Sequence, residues 1–289
     1  MVRLITNSDD FGLTKSITDA IVDTHLNGIM TSTTMMVNMA GFEYAVKKAK
    51  ETSSLGVGIH FNLTEGIPLA APNQIPDLID NDGKFLKNAV QRKNLIYGNH
   101  LYNQAKTELT LQLEKLLDNG IKPTHFDSHH HITGVPCAFN ASLNVAKKFG
   151  INRARITNIS PIFTNESKLS SLGQMVQQLK VFPKALIHLR NKKTLIKHKF
   201  ITPDIKILPS KVIPNTMILD PVKHFIRVLS ILKNGVTEIS FHPGYENSDP
   251  NDSIKTAQIR TRDLLIANSS EVKTYIKKNN INLISFKNL

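Results

Sequence analysis

Carboxylates and histidines that could bind a divalent metal occur at four separate places along this chain. Each comes where a short strand-like run gives way to a loop: Asp9-Asp10, His60, His129–His131 and His242. Carboxylate and imidazole groups together are the ligands of catalytic zinc and of other divalent metals. The pattern indicates a hydrolytic metalloenzyme. Each residue taken alone also has a structural explanation, which is helix capping for the Asp pair and packing or capping for a single histidine.

A recurring joint indicates the elements that must position these residues. A helix-like segment ends in Gly or Asn, and a β-branched residue follows it, at residues 27–29, 119–121, 149–151, 234–236 and 279–281. Gly or Asn just past a helix accepts the left-handed conformation that most residues avoid. The β-branched residue then favours a strand. Repeated helix-to-strand units predict an α/β fold with a mainly parallel sheet.

The predicted strands and helices place the candidate residues on one edge of that sheet. The predicted strands are 3–7, 32–37, 57–61, 124–127, 153–157, 237–241 and 282–286, and the predicted helices are 14–27, 42–50, 104–119, 138–149, 221–234 and 270–279. Thr14 is predicted to cap the first helix. The carboxyl ends of parallel strands share one rim, which is where active sites form in such folds. We therefore expect the four places to converge.

The triple histidine is the rarest of these features. One or two of residues 129–131 could bind a metal while another holds the loop in place. Asp127 could orient a ligand through the second ring nitrogen of a histidine. The residues alone leave open which histidine does which.

Composition limits the other classes of protein. The chain has 289 residues, 40% of them apolar, and a net charge of +13. No run approaches the roughly 20 apolar residues that cross a bilayer, so we expect no membrane span. The single cysteine, Cys137, suits a reducing compartment, and we expect a cytoplasmic protein in which this thiol is buried.

Much of the positive charge lies between Lys184 and Lys211. A solvated basic face is the leading explanation, and the steering of a phosphorylated substrate and the binding of nucleic acid are the alternatives. The chain has no Trp, and few aromatic residues in this stretch could stack on bases. Residues 66–103 contain several prolines and are expected to form an insertion at the rim, as a lid or a dimer surface, within a single domain that spans 1–289.

The motifs resemble those of the YdjC-like carbohydrate deacetylases, which include the chitooligosaccharide deacetylases. The matching segments are 7–12 (Asn-Ser-Asp-Asp-Phe-Gly), 29–34, 58–66 (Gly-Ile-His-Phe-Asn-Leu-Thr-Glu-Gly), 123–131 and 238–245, in the order found in that family. The resemblance implies a distorted, incomplete TIM-like barrel. It also implies the removal of acetyl groups from N-acetylated sugars with the help of a divalent metal.

The resemblance also implies roles for individual residues. Asp10, His60 and His129 would bind the metal, Asp9 would be the general base and His242 the general acid. The remaining motif residues would contact substrate or support the ligands: Asp127, His131, Glu65 and Tyr245. That family is described with Mg²⁺, whereas a ligand set of one carboxylate and two imidazoles also suits Zn²⁺ or another transition metal. Thr133 stands where the family often has a histidine, and residues 158–220 match poorly.

Three functions follow as hypotheses. The first is deacetylation of a small N-acetylated oligosaccharide, chitobiose-like or phosphorylated, by a protein that forms a symmetric homodimer by default. The second is cleavage of a glycosidic bond, which needs two carboxylates at about 5–5.5 or 6.5–9.5 Å, and Asp9 and Glu65 are the candidate pair. The third is nucleic-acid binding, which the histidines do not support.

Overall fold

The computed structural model describes residues 1–156, 187, 189–207, 220–246, 248–251 and 254–289. Strands and helices alternate along most of the chain. In order they are β1 (Val2–Phe11), α1 (Lys15–Leu26), β2 (Ser32–Met35), α2 (Phe42–Glu51), β3 (Gly56–Phe61), α3 (Asn88–Tyr97), α4 (Tyr102–Asp118), β4 (Phe126–Ser128), α5 (Pro136–Lys148), α6 (189–197), β5 (Ile205–Ile207), α7 (Pro221–Ser230), β6 (Gly235–Phe241), α8 (Ile254–Asn268), α9 (Ser270–Lys278) and β7 (Asn282–Leu283).

The strands form one parallel sheet in the order β4-β3-β2-β1-β6-β5, and β7 pairs with the first half of β1. Two isolated parallel bridges, Phe126–Ala154 and Arg153–Ile201, carry the pairing beyond β4 toward the chain that leads into β5. The sheet therefore curls into a partial barrel. This confirms the predicted α/β fold with a distorted, incomplete TIM-like barrel.

Apolar packing surrounds and closes this barrel. The largest core cluster joins α1, α2, α4 and α5 to β3, and a second one packs α7, α8 and α9 against the outer faces of β1 and β6. A small third cluster of Ile5, Val236 and Phe286 lies at the amino-terminal ends of the strands. His125 stacks on Phe286 with ring centroids 3.6 Å apart, so these side chains close the end opposite the site.

The helices agree with the predicted ones to within a few residues at each end. Thr14 caps α1, since its hydroxyl accepts a hydrogen bond from the Ile17 amide. The predicted strand 153–157 contributes only the bridges at Arg153 and Ala154, and Thr157 lies outside the described residues. Three helices, α3, α6 and α8, and the short strand β5 were not among the predicted elements.

Residues 66–103 pack into the main core through a set of buried apolar side chains: Ala70, Ile75, Leu78, Phe85, Leu95 and Leu101. The carboxylate of Glu108 on α4 accepts hydrogen bonds from the amides of Leu69 and Ala70 and so fixes the start of this segment. Among the described helices, none has the length and apolar character needed to cross a membrane.

Candidate active site

An irregularity in β1 brings two adjacent carboxylates into one pocket. The pairing of β1 with β2 passes from Ser8–Thr33 to Phe11–Met35, so β1 holds one extra residue between these pairs. Asp10 lies there with a φ of 70°. Neighbouring side chains of a regular strand point to opposite faces, and a bulge removes that alternation. Asp9 and Asp10 are thus inside the bulged end of β1, whereas the sequence placed them just after the strand.

Asp10, His60 and His129 come together on the pocket wall. The Oδ1 atom of Asp10 lies 3.1 Å from Nδ1 of His129 and 3.6 Å from Nε2 of His60. One ligand atom from each residue lies within 4.8 Å of the others, and all three residues are buried. Two ligands at about 2.1 Å from a shared ion are separated by roughly 3.0–3.4 Å. These spacings fit a single divalent ion.

Each histidine of this group has a carboxylate on its other ring nitrogen. Nδ1 of His60 lies 2.6 Å from Oδ1 of Asp127, which is the residue directly across from it on β4. Nε2 of His129 lies 2.8 Å from Oε2 of Glu65. Histidines that bind metals usually donate their second N–H to such a partner, which fixes the tautomer. In both rings, the nitrogen left for a metal is the one that faces Asp10.

The surroundings of His129 also favour its protonated form. Burial disfavours the charged form of His129, but hydrogen bonds to Asp10 and Glu65 outweigh it and raise the pKa of His129 to about 9. The hydrogen bond from His129 lowers the pKa of Glu65. Positive charge beside Asp10 is therefore favoured by the protein, whether an imidazolium or a metal ion carries it.

Arg155 ties the second carboxylate of the pair to two others. Its guanidinium donates to both oxygens of Asp9, at 2.6 and 2.7 Å, and to Oε1 of Glu238 at 2.6 Å, and it forms an ion pair with Oδ2 of Asp127 at 2.5 Å. Although burial alone would raise it, Arg155 holds the pKa of Asp9 well below its usual range. Ligand atoms of Asp9, His60 and Asp127 are also close enough for a metal. A permanent cation already neutralises that group, so it is the weaker candidate.

His242 lies beside Asp9 at the more open side of the pocket. Its Nε2 is 3.7 Å from Oδ2 of Asp9, and its Nδ1 is 3.9 Å from Oδ2 of Asp263. The same Asp263 oxygen accepts the His242 backbone amide at 2.9 Å. With 29% of its side chain exposed, His242 can reach both the buried carboxylate and an entering molecule.

The other predicted residues lie nearby with less direct contacts. The ammonium of Lys206, together with burial, lowers the pKa of His131 well below its usual value, so this imidazole is neutral. Tyr245 is 39% exposed, and no described contact joins it to the three candidate ligands. Thr133 bonds through its hydroxyl and its amide to Oγ of Ser128, which gives it a structural part in the loop.

Sequence reasoning missed the charged residues in the barrel interior. Arg155, Glu238 and Lys206 are all buried there. Lys206 was expected on a solvated basic face, and this was wrong. It lies directly across from Glu238 on the neighbouring strand, and burial lowers its pKa to about 8. The only sequence signal for their burial is a charged residue within a run of strand-forming residues. This signal does not show which face of the strand points into the barrel.

Helix α8 supplies two further residues that sequence reasoning did not place in the site. Arg260 donates to Oδ2 of Asp10 at 3.1 Å, and Asp263 holds the backbone at His242. Arg260 therefore contacts Asp10 and Asp263 contacts His242, so α8 helps to hold two of the predicted site residues in position.

Known proteins that share one name are similar to this chain over its full length. A protein named carbohydrate deacetylase from Clostridium beijerinckii is 33% identical over 100% of both chains, and one from Brevibacillus brevis is 31% identical over 100% of both. A solved structure from Enterococcus faecalis, described as a candidate cellobiose-phosphate cleavage protein, aligns with a TM-score of 0.76 at 24% identity, covering 99% of this chain and 98% of that one. That likeness supports the fold.

The match to a family model agrees with the motifs and the pocket. The model described as YdjC-like protein matches residues 3–278, from the first strand to the last long helix. The bulged carboxylate pair, both candidate ligand histidines and His242 all lie within the matched range. The chain therefore belongs to the YdjC-like protein family.

Proposed function

We propose that this protein is a metal-dependent carbohydrate deacetylase that hydrolyses the acetamide group of an N-acetylated sugar. The observation that carries the proposal is the joint geometry of Asp10, His60 and His129, with a separate carboxylate and a partly exposed histidine beside them. The names of the full-length relatives in Clostridium and Brevibacillus support the same reaction.

Asp10, His60 and His129 would hold the ion, and Asp127 and Glu65 would orient the two imidazoles. When bound, a divalent ion lowers the pKa of a water at the site and polarises the acetyl carbonyl. The donor set of one carboxylate and two imidazoles suits Zn²⁺ and other transition metals, and Mg²⁺ would need additional water ligands.

Asp9 would receive a proton from the attacking water. Its ion pair with Arg155 keeps the carboxylate charged in a buried site, where an isolated carboxylate would be neutral. The same ion pair makes Asp9 a weak base, because general bases work best when their pKa is near the working pH. Asp9 can therefore act only on a water that is more acidic than bulk water.

His242 would protonate the departing sugar nitrogen. An amine cannot leave as an anion, so amide hydrolysis needs a proton donor at this step. Asp263 fixes the backbone at His242 and lies 3.9 Å from Nδ1 of its ring, while Nε2 lies 3.7 Å from Asp9. With 29% of its side chain exposed, the imidazole would contact both Asp9 and the bound sugar.

The glycosidase hypothesis is less consistent with the two carboxylates that it requires. That reaction needs one carboxyl that is protonated at working pH. The pKa of Asp9 is held well below its usual range by Arg155, and that of Glu65 is lowered by its hydrogen bond with His129. Neither residue of the pair is a proton donor in this arrangement.

The decisive experiment measures acetate and reducing ends together. The protein would be stripped of metal, loaded with Zn²⁺, Mn²⁺ or Mg²⁺, and assayed on N-acetylated mono- and disaccharides with and without phosphate. We expect acetate release that disappears on stripping and returns with metal. Shortened sugars without acetate would favour the glycosidase instead, and acetate release at full rate by stripped protein would refute metal dependence.

A further inference from the structure

The loop that carries His129 contains an unusual backbone conformation. His130 has a φ of 51° and His131 a φ of 53°, so two consecutive residues with side chains take the left-handed conformation. This conformation is unfavourable for residues other than glycine, because the Cβ atom approaches backbone atoms. Two such residues in succession persist only where surrounding contacts hold them.

The clearest contact comes from helix α3, outside the strands that build the pocket. The guanidinium of Arg92 donates through one nitrogen to the carbonyl oxygens of both residues, at 3.0 Å to His130 and 3.3 Å to His131. Because one cationic group donates to both carbonyl oxygens, it favours the backbone conformation in which the two carbonyls point the same way. On the opposite side of the turn, the Thr64 hydroxyl lies 3.0 Å from Nδ1 of His130.

Arg92 is itself held firmly at its place on α3. The amide of the preceding Gln91, which is fully buried, donates to the carbonyl oxygens of Leu63 and Leu78. Leu95, one turn later, lies in the main core. These contacts fix α3 relative to the loop. The guanidinium of Arg92 therefore has a defined position beside the two carbonyl oxygens.

We propose that Arg92 is a positioning residue for metal binding: it holds the strained turn at His130 and His131 and thereby aims the imidazole of His129 at Asp10. The turn begins immediately after His129, so a relaxed turn changes the direction of that side chain. This role gives residues 66–103 a function in the chemistry of the site. It rests on the proposed metal-dependent function.

Metal affinity is the measurement that isolates this role. We would titrate Zn²⁺ into metal-stripped protein by calorimetry and record the unfolding temperature of the same samples. Arg92→Ala should weaken Zn²⁺ binding by about 10–100-fold, the range seen when groups that orient metal ligands are removed. Arg92→Lys should recover part of the loss, since an ammonium can serve one carbonyl but lacks the planar fork. Lys93→Ala is the matched control, because Lys93 is the exposed neighbour on the same helix.

A second substitution tests the strain itself. In the Arg92→Ala background, His130→Gly should restore part of the Zn²⁺ affinity, because glycine takes a positive φ without penalty. If it restores nothing, strain at this turn is not what Arg92 opposes, and the proposal fails. If Arg92→Ala does not fold, the comparison of Arg92→Lys with Lys93→Ala still decides, and equal Zn²⁺ affinities would overturn the proposal.

The outcomes separate this inference from the proposed function. Wild-type protein that binds no divalent metal would refute the metal site, and with it the role of Arg92. Wild-type protein that binds Zn²⁺ with the same affinity as Arg92→Ala would refute only the role of Arg92. An increase in KM at unchanged Zn²⁺ affinity would also overturn the proposal, because it would assign Arg92 to substrate contact.

Discussion

The substitution Asp127→Asn tests whether Asp127 orients the candidate metal ligand His60 through the ring nitrogen that does not face the metal site. Asp127 places one oxygen 2.6 Å from Nδ1 of His60 and the other 2.5 Å from the Arg155 guanidinium. Asparagine keeps the shape but replaces one acceptor by an amide that only donates. The asparagine oxygen can therefore accept from His60 or from Arg155, and the remaining one of these two groups then faces the asparagine NH₂ at close range.

Both orientations of the new amide harm the site. If its oxygen accepts from His60, its NH₂ group is directed at Arg155, donor against donor. If it accepts from Arg155, the NH₂ group faces Nδ1 of His60 and requires that nitrogen to be unprotonated. The proton of the neutral ring then lies on Nε2, the nitrogen that faces Asp10, and this tautomer cannot bind a metal there.

The expected magnitude follows from such supporting contacts in metal sites. Loss of one typically costs 10–100-fold in affinity, or about 1.4–2.7 kcal/mol. We would measure Zn²⁺ binding to metal-stripped protein by calorimetry. Asp9→Asn is the matched control, because it removes another carboxylate from Arg155 but no described hydrogen-bond partner from His60 or His129. Equal Zn²⁺ affinity in Asp127→Asn and wild type would refute the reasoning.

Three further predictions concern the groups in the pocket. Asp9→Asn should keep its metal and lose roughly 10²–10⁴ in turnover, while Asp10→Asn should lose metal, and the opposite pattern of metal content would exchange their roles. His242→Ala should depress turnover on a sugar amide far more than on an activated ester, and equal losses at full metal content would assign it to substrate positioning. The pKa of His129, about 9, predicts that Zn²⁺ affinity rises with pH up to about 9. Because this folded-state pKa is raised above the unfolded value of about 6.5, the charged imidazole stabilises metal-free protein fully below that pH, and this contribution is lost as the pH rises through 9. Metal-free melting temperatures that show no such loss, with a flat affinity profile, would contradict the last prediction.

The sequence was sufficient to predict that the candidate ligands lie together at one edge of the sheet, because each lies at or near the end of a predicted strand. His60 and His129 each follow a short run of strand-forming residues, and parallel strands place such ends together. The bulge at Asp10 was not predictable in the same way. A bulge depends on the register with the neighbouring strand, which is a long-range pairing that local composition does not encode.

The buried charges escaped prediction for a related reason. Glu238 stands in β6, and Arg155 directly follows the bridges at Arg153 and Ala154, so only the closed sheet tells which side of each segment is interior. A lone charge in a strand is more often solvated, so local reasoning assigns it to the surface. Their ion pair joins residues far apart in the chain, and neither partner alone indicates the other.

Different cations give the two adjacent carboxylates different properties. Both oxygens of Asp9 face a guanidinium that keeps its proton at any working pH, so Asp9 stays charged whether or not a metal is present. One oxygen of Asp10 faces ring nitrogens of His129 and His60, beside which an ion could bind, while Arg260 donates to the other oxygen. We therefore expect metal loading to change the surroundings of Asp10 and to leave the ion pair of Asp9 intact. This separation is the physical reason to expect that substitutions at the two neighbours affect metal content and turnover independently.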